Sequence, residues 1–370
     1  MFEPRARRRG LARLNAEHGS SRLLLACVAF LIAVLGLRSV FLRAPRAAIQ
    51  AAPSSAAPPP AQRSLPYTER LRVEAAAHFE RSLPLKDAAQ LGNRPPSTPF
   101  VSGDTLRAMA TWVLDETSAL IDTLNPGAVA AGDVVFLKTD YLDRFFVRLH
   151  PAITTPYILI THNSDYPAPG AHRARLDDPQ LAVWFAQNCE CDQPHPKLRA
   201  VPIGLENRHW KSEDDFAHLL RRARQPKPLE QRARRVYVNV GATNKERAPL
   251  VEVLAKRPFA SVVRERRSFQ QYLDDLADSQ FVASPFGNGI DCHRTWEALA
   301  VGAVPIVEHS SISPLFEGHP VLQVDNLMRL DTAALDGFWA RANASGVLRQ
   351  HLWADYWWDE LQAWRARLKP

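Results

Sequence analysis

The stretch that decides the fold reads Ser284-Pro-Phe-Gly-Asn-Gly-Ile-Asp-Cys-His-Arg-Thr-Trp-Glu-Ala-Leu-Ala-Val-Gly-Ala-Val-Pro-Ile-Val307. It begins at the end of a short apolar run, 281–284, which the pattern predicts as a buried strand. A glycine-containing loop at 285–291 then leads into a helix that we expect to begin near Cys292. The apolar run 304–307 predicts the next strand. Strand, loop, helix and strand in this order are typical of a parallel sheet covered by helices.

The loop and the first helical turns of this stretch suit a phosphate ligand. Gly287 and Gly289 let the backbone approach a ligand closely, and the helix N-terminus offers free amide donors to a diphosphate. Asp291 could cap the helix. Arg294 and Glu297 are three residues apart and share a helical face, where a cation suits phosphate and a carboxylate can accept hydrogen bonds from ribose or sugar hydroxyls. The spacing alone is equally compatible with a tight turn followed by an ion pair.

Alternating strands and helices extend on both sides of this stretch. Strands are predicted at 134–137, 157–160, 198–203, 236–240, 260–263, 281–284, 304–307 and 321–324. Helices are predicted at 67–82, 104–124, 141–149, 181–187, 247–254, 269–276, 292–300, 327–341 and 348–368. The charged segment 213–235, interrupted by prolines, is interpreted as a linker. The sequence therefore predicts an α/β protein with two Rossmann-like units that face a cleft at the carboxyl ends of their strands.

Polar residues follow two of the predicted strands. Asn244 and Arg247 come after the strand 236–240 at the start of a helix, where donor phosphates would bind, although a solvated helix cap is an equal alternative. His162 and Asp165 follow the strand 157–160, and they are the two groups there that can take a proton. The alternative for this second segment is a simple turn that caps the next element.

The charge of the chain is concentrated at its N-terminus. Lys and Arg number 46 against 39 Asp and Glu, a formal charge of +7. Residues 1–22 contain six arginines and two glutamates, so their net charge of 6 − 2 = +4 precedes the globular region. This distribution disfavours nucleic acid as a partner and leaves a small anionic ligand such as a nucleotide-sugar. The length of 370 residues predicts two domains.

The N-terminal segment predicts a membrane anchor. The apolar run 23–37, extended to residue 42, is long enough to cross a bilayer if Arg38 reaches the head groups. The basic tail 1–22 favours a cytosolic N-terminus and hence type II topology. A cleaved signal peptide is the alternative. The Pro/Ala-rich segment 43–66 is interpreted as an extended, disordered stem.

The cysteines and carboxylates do not suggest a metal site. Cys189, Cys191 and Cys292 permit one bridge to Cys292 at most, the pairing is left open, and their spacing does not match a zinc site. The chain contains no Asp-x-Asp triplet, so we expect neither a metal nor a cofactor.

The stretch 284–307 resembles the C-terminal signature of exostosin-like glycosyltransferases, glycosyltransferase family 47. The matching positions are Ser284, Gly287, Gly289, Asp291, Arg294, Trp296, Glu297, Gly302 and Pro305. The resemblance is dense here and looser over 130–330, where the segment 237–247 also looks like a family segment. It implies a GT-B fold and the transfer of a sugar from a nucleotide-sugar donor, usually with inversion.

Within this resemblance, the residues fall into a donor site and a site of catalysis. The donor nucleotide-sugar is expected at Asn244, Arg247, Ser284, Gly287, Gly289, Asp291, Arg294 and Glu297, and the general base, Asp165 or His162, would come from across the cleft. The predicted domains are 67–230 for the acceptor, 231–345 for the donor and 346–370 for a C-terminal helix. The acceptor would be a glycan or glycoprotein.

The tail, single span, stem and globular region have the layout of Golgi-resident transferases. The Golgi membrane, with the catalytic region in the lumen, is therefore the expected location. A catalytically inactive exostosin-like protein of the Golgi that binds glycans or acts as a scaffold is the main alternative. A sulfotransferase is disfavoured, because the loop at 137–141 has no glycine with which to cradle a phosphate.

Overall fold

Two parallel five-stranded sheets form the framework of the computed structural model, which describes residues 65–241, 243–345 and 348–369. The strands are β1 (Trp112–Leu114), β2 (Val134–Lys138), β3 (Tyr157–His162), β4 (Leu181–Ala186), β5 (Leu198–Ala200), β6 (Arg234–Val238), β7 (Ala260–Val262), β8 (Ser279–Ala283), β9 (Val304–Glu308) and β10 (Leu322–Val324). The strand orders are β1-β2-β3-β4-β5 and β10-β9-β8-β6-β7. Two such sheets are consistent with the GT-B architecture.

Helices connect the strands and cover the sheets. They are α1 (Tyr67–Glu80), α2 (Gly103–Met109), α3 (Leu120–Thr123), α4 (Leu142–Arg144), α5 (Glu213–Arg224), α6 (Arg247–Leu254), α7 (Phe269–Ala277), α8 (His293–Ala300), α9 (Thr332–Ser345) and α10 (Ala354–Leu368). A π-helix, Phe145–Leu149, continues α4.

The predicted tail, membrane span and stem lie outside the described residues, apart from the last two residues of the stem. Among the residues that the structure does describe, no helix has both the length and the hydropathy needed to cross a membrane.

The first sheet contains two strands where the sequence predicts helices. Strand β1 lies inside the predicted helix 104–124, because α2 ends at Met109 and Ala110 is already extended. Strand β4 occupies the predicted helix 181–187, and all six of its residues are buried between β3 and β5. A strand that is apolar on both faces shows no alternation, so a short run of this kind cannot be distinguished from a buried helix by its pattern.

The predicted linker 213–235 is wrong, because it contains α5 and the start of β6. The Ser212 hydroxyl caps α5 by accepting a hydrogen bond from the Asp215 N–H at 3.1 Å. Acidic residues occupy the first turn and arginines the last, which is the arrangement that the helix dipole favours. Phe216, Leu219 and Ala223 form its buried face. The charges that we interpreted as a linker therefore belong to the exposed face of an amphipathic helix.

The second sheet confirms the sequence prediction closely. The strands predicted at 236–240, 260–263, 281–284, 304–307 and 321–324 correspond to β6 to β10 within two residues at each end. The helices predicted at 247–254, 269–276 and 292–300 correspond to α6, α7 and α8. The quoted stretch therefore runs from the end of β8 through α8 into β9.

The helices at the two ends of the described chain each pack on the opposite sheet. In α1, Tyr67 and Leu71 belong to the apolar cluster of the second sheet, and the Tyr67 ring lies 5.2 Å from Trp339. In α10, the Trp357 ring lies 6.3 Å from Phe185 of β4. The two sheets therefore share helices, and the domain boundaries at 230 and 345 stay predictions.

The disulfide that the structure contains does not involve Cys292, the residue to which the sequence allowed a bridge. Cys189 and Cys191 are bonded to each other, with Cα atoms 5.2 Å apart, a separation that a disulfide spans readily. Cys292 is a free thiol that donates to the Pro285 carbonyl at 3.4 Å.

Candidate functional site

A cleft of about 980 Å³ opens where the loops after the strands of both sheets meet. Its lining includes Asp165, Ile203, Glu206, Trp210, Lys211, Arg247, Arg266, Arg267, Tyr272, Gly287, Gly289, Asp291, His293, Arg294 and Glu297. Ligands of open parallel sheets bind at this edge, because the carboxyl ends of the strands deliver their loops to one side. The predicted position of the site is therefore a cleft in the structure.

Arg247 holds the glycine loop in place. Its guanidinium donates to the carbonyls of Phe286 at 2.8 Å and Pro285 at 3.2 Å, and to the Thr243 hydroxyl at 2.7 Å. Burial lowers the pKa of Arg247, and the neighbouring charge of Arg294 lowers it further. With most of its donors directed at the loop, Arg247 fixes the shape of the cleft wall.

Asn244 supports the same loop from outside the cleft. Its Nδ2 donates to the Gly287 carbonyl at 3.0 Å, and its Oδ1 accepts from the Glu246 N–H at 2.9 Å. The residue lines a separate cavity of about 490 Å³. Asn244 thus positions a loop that faces the cleft, while its own side chain faces elsewhere.

Asp291 joins the two halves of the cleft. Its buried carboxylate accepts hydrogen bonds from the Ile203 N–H at 2.7 Å and from the Trp296 indole at 3.0 Å. The Asp291 N–H donates in turn to the Asn188 side chain at 3.1 Å. Burial raises the pKa of Asp291 to about 6. Cys292, not Asp291, is the N-cap residue of α8, and the Asp291 carboxylate also accepts from the Cys292 N–H at 2.9 Å. Asp291 therefore ties the segment at Ile203 to the start of α8.

The glycines and Ser284 shape the loop. A Cβ added at Gly289 would lie 2.6 Å from the Asn188 side-chain nitrogen, so a larger residue would displace the Asn188 side chain that accepts from the Asp291 N–H. A Cβ at Gly287 would lie 3.3 Å from the Cys292 sulfur. The Ser284 hydroxyl is buried against that of Thr295 at 2.9 Å. Ser284 therefore fastens the end of β8 to α8.

Arg294 and Glu297 both face the cleft from the first turns of α8. The Nε of Arg294 is buried and has no hydrogen-bond partner. The Glu297 Oε2 accepts from the Tyr272 hydroxyl at 2.9 Å, and burial raises the pKa of this carboxyl group. Within the described residues, no ion pair joins the two side chains. The arrangement places a cation and a hydrogen-bond acceptor one helical turn apart in the lining of the cleft.

The two predicted bases have different environments. The His162 ring is buried, its Nδ1 accepts from the Asn163 N–H at 2.8 Å, and its Nε2 lies 3.0 Å from the Pro202 carbonyl. Burial lowers the pKa of His162 to about 4. Asp165 is exposed in the cleft and accepts from the Asn288 amide at 3.1 Å. Access to the cleft therefore favours Asp165 over His162.

His293 is a third group that can take a proton, and sequence reasoning missed it. Its Nδ1 lies 2.9 Å from the Gly204 carbonyl, to which it donates, and this leaves the Nε2 lone pair for the cleft. His293 lies inside the quoted motif as the first residue of α8. Its place in that motif was the only signal available, because its partner Gly204 is far away in the sequence.

Tyr272 and the arginines at 266 and 267 were also missed as cleft residues. They line the cleft from α7 and from the loop that precedes it. In the parts of the chain that the structure describes, no group of three or more His, Cys, Asp or Glu side chains could hold a metal ion.

Comparison with known protein families finds a match for one segment of the chain. Residues 232–318 match the family model of the RXYLT1 C-terminal domain. This segment runs from the start of β6 to beyond β9 and contains Arg247, Arg294 and Glu297. No curated protein matches the chain. The match supports the exostosin-like resemblance over the second sheet, where that resemblance is densest.

Proposed function

We propose that this protein is a membrane-anchored glycosyltransferase that transfers a sugar from a nucleotide-sugar donor to a glycan or glycoprotein acceptor. The observation that carries the proposal is the buried Nε of Arg294, which has no partner and lies one helical turn from Glu297 in the cleft. Both residues belong to the segment that matches the RXYLT1 C-terminal domain.

The cleft residues suit a nucleotide diphosphate. Arg294 and the N-terminus of α8 would stabilise the charge of the diphosphate as it leaves, in a reaction that needs no metal or other cofactor. The Glu297 carboxylate, held by Tyr272, would accept hydrogen bonds from ribose or sugar hydroxyls. Arg247 and Asn244 would act by holding the glycine loop against the phosphates.

The transfer is proposed to invert the anomeric centre in a single displacement. The acceptor oxygen forms a bond to the anomeric carbon while the bond from that carbon to the diphosphate oxygen breaks. The diphosphate leaves with the electron pair, and the hydroxyl proton passes to a general base. Asp165 is the favoured base because it is exposed in the cleft; His293 and His162 are the other two candidates.

The location in the Golgi membrane is proposed from the sequence. The run 23–42 would anchor the chain with type II topology, and the segment 43–66 would hold the catalytic region away from the bilayer. Protease protection of sealed microsomes tests this topology, since a luminal catalytic region is cleaved only after detergent is added.

The proposal is tested with the purified full chain in detergent and a panel of UDP- and GDP-sugars. We expect slow hydrolysis of one panel member. Arg294→Ala should weaken binding of that donor roughly tenfold or more, because a charge-assisted hydrogen bond is lost. The unfolding temperature should stay unchanged, since the Nε has no protein partner to lose. Glu297→Gln should weaken binding similarly while keeping the hydrogen bond from Tyr272.

Arg264→Ala is the matched control. Arg264 is exposed and pairs with Glu252 at 2.9 Å, so the Arg264→Ala substitution should leave donor binding unchanged. Nucleotide binding without any turnover would identify the inactive glycan-binding or scaffold protein instead. If the protein neither binds nor hydrolyses any panel member, both the enzyme and the inactive protein are contradicted.

A further inference from the structure

A second, smaller cavity of about 330 Å³ opens beside the cleft. Asp165, Ile203, Trp210 and His293 line both spaces, so the two are adjacent. The remaining lining residues all precede β6 in the chain. A ligand in this side cavity would therefore lie next to Asp165 and His293, the two accessible candidates for the general base.

Two polar atoms in the wall of the side cavity are buried without a partner. Gln187 is 1% exposed, and its Nε2 donates to the Ser164 carbonyl at 2.9 Å, which fixes the orientation of the amide. The Gln187 Oε1 and the Asn163 Nδ2 have no hydrogen-bond partner. A buried polar group left unpaired costs about 1–3 kcal/mol, so each of these two atoms would gain free energy from a hydrogen-bond partner that enters the cavity. One acceptor and one donor are what a hydroxyl group requires, because it can donate and accept at once.

The charges of the side cavity are already compensated. Arg94 pairs with Asp104 at 2.8 Å and with Glu116 at 2.7 Å, and Lys138 lies 3.4 Å from Glu116. A phosphate or carboxylate would have to compete with these carboxylates for the cations. The cavity therefore favours a neutral ligand over an anionic one.

Trp210 forms the edge between the cavity and the cleft. It is 71% exposed, which is unusual for so large an apolar side chain. A flat, exposed indole beside polar groups can pack against the C–H face of a sugar ring, which is apolar on its faces and polar at its rim. The indole thus adds a stacking surface to the hydroxyl site of Asn163 and Gln187.

We propose that the side cavity is the acceptor subsite and binds a neutral sugar unit. One hydroxyl of this unit lies between the Asn163 Nδ2 and the Gln187 Oε1, and the ring stacks on Trp210. The inference rests on the proposed glycosyltransferase function and adds the class of acceptor, a unit without phosphate or carboxylate where it enters the cavity.

The test measures binding of small sugars to the full chain in detergent by saturation-transfer NMR. The probes are the methyl glycosides of glucose, galactose, mannose and xylose, with glucose 6-phosphate and glucuronic acid as anionic counterparts. We expect at least one neutral glycoside to bind and the anionic sugars to bind more weakly. Trp210→Ala and Gln187→Met should each weaken binding at least about tenfold.

Two variants serve as controls. Trp210→Phe keeps a stacking ring and should retain binding within about threefold. Tyr166→Ala removes another exposed aromatic residue, 63% exposed and outside the lining of the side cavity, and should change nothing. Thermal unfolding establishes that each variant is folded, and Trp210 is a surface residue whose removal leaves no buried cavity.

The outcomes separate this inference from the proposed function. Failure of every neutral sugar to bind, tighter binding of the anionic sugars, or unchanged binding in both Trp210→Ala and Gln187→Met would each overturn the acceptor subsite. Hydrolysis of the nucleotide-sugar by water does not need the subsite, so it should persist in Gln187→Met, whose side chain lines the side cavity and is not part of the cleft lining. If the parent protein hydrolyses a donor while the subsite variants behave like the parent, only the subsite proposal fails.

Discussion

At the scale of single residues, Gly204 combines a left-handed backbone with a close contact. Its φ is 70°, and an added Cβ would lie 2.3 Å from the Val101 carbonyl oxygen. We expect Gly204→Ala to lower the free energy of unfolding by about 3 kcal/mol or more, because backbone strain and a steric clash add.

The matched control is Gly170→Ala. Gly170 has a φ of 55° with open space around the position of a Cβ, so about 1 kcal/mol is expected from the backbone alone. Urea denaturation of both variants measures the difference. Equal losses would show that the contact with Val101 has no energetic effect.

Single residues of the site could be predicted where the chemistry lies within one motif. Spacing brought Arg294 and Glu297 to one helical face, and both line the cleft. The function of Asp291 as a tie between loops could not be predicted, because its partner Ile203 is 88 residues away. The free Nε2 of His293 depends in the same way on the distant Gly204 carbonyl.

At the scale of secondary structure, the cap of α5 can be tested. The Ser212 hydroxyl accepts from the Asp215 N–H, so Ser212→Ala leaves that donor without its partner. We expect a loss of about 1 kcal/mol in the free energy of unfolding, measured in urea. Ser212→Asp should restore the stability, because aspartate caps helices as well as serine does. Equal stability of the alanine and aspartate variants would contradict the capping role.

The elements of the second sheet were easier to predict than those of the first. Turns containing glycine or proline bound several of its strands, and the helices between them show a clear helical period. In the first sheet, β4 is apolar throughout and its neighbours are set by tertiary pairing with β3 and β5. Local pattern could not supply that information, which is why a helix was predicted there.

At the scale of the whole molecule, three buried histidines predict that the folded protein loses stability in acid. Burial lowers the pKa of His162 and His319 to about 4 and that of His351 to about 3. The unfolded chain, with a histidine pKa near 6.5, binds more protons than the folded chain between these values. The contribution of these three histidines to the free energy of unfolding is therefore fully present above about pH 6.5 and is lost as the pH falls toward 4.

The unfolding temperature measured from pH 8 to pH 4 checks this expectation. Each group contributes up to about 1.4 kcal/mol per pH unit inside the window. His351→Phe removes one titrating ring from the stacked pair with His319, whose centroids are 4.2 Å apart, and should make the decline shallower. An unfolding temperature that stays constant down to pH 4 would contradict the prediction.

The packing of α1 on the second sheet and of α10 on the first has a consequence for biosynthesis. Helix α1 leaves the ribosome before either sheet, yet its partners include Trp339 and Arg349, whose buried side chain pairs with Glu74 at 2.9 Å. Tyr67 must therefore wait for its ring partner Trp339 while some 270 residues are translated. Helix α10 follows both sheets and returns to the first. Assembly of either half is thus completed only after translation of the other, which makes α1 a natural client for chaperones on the nascent chain.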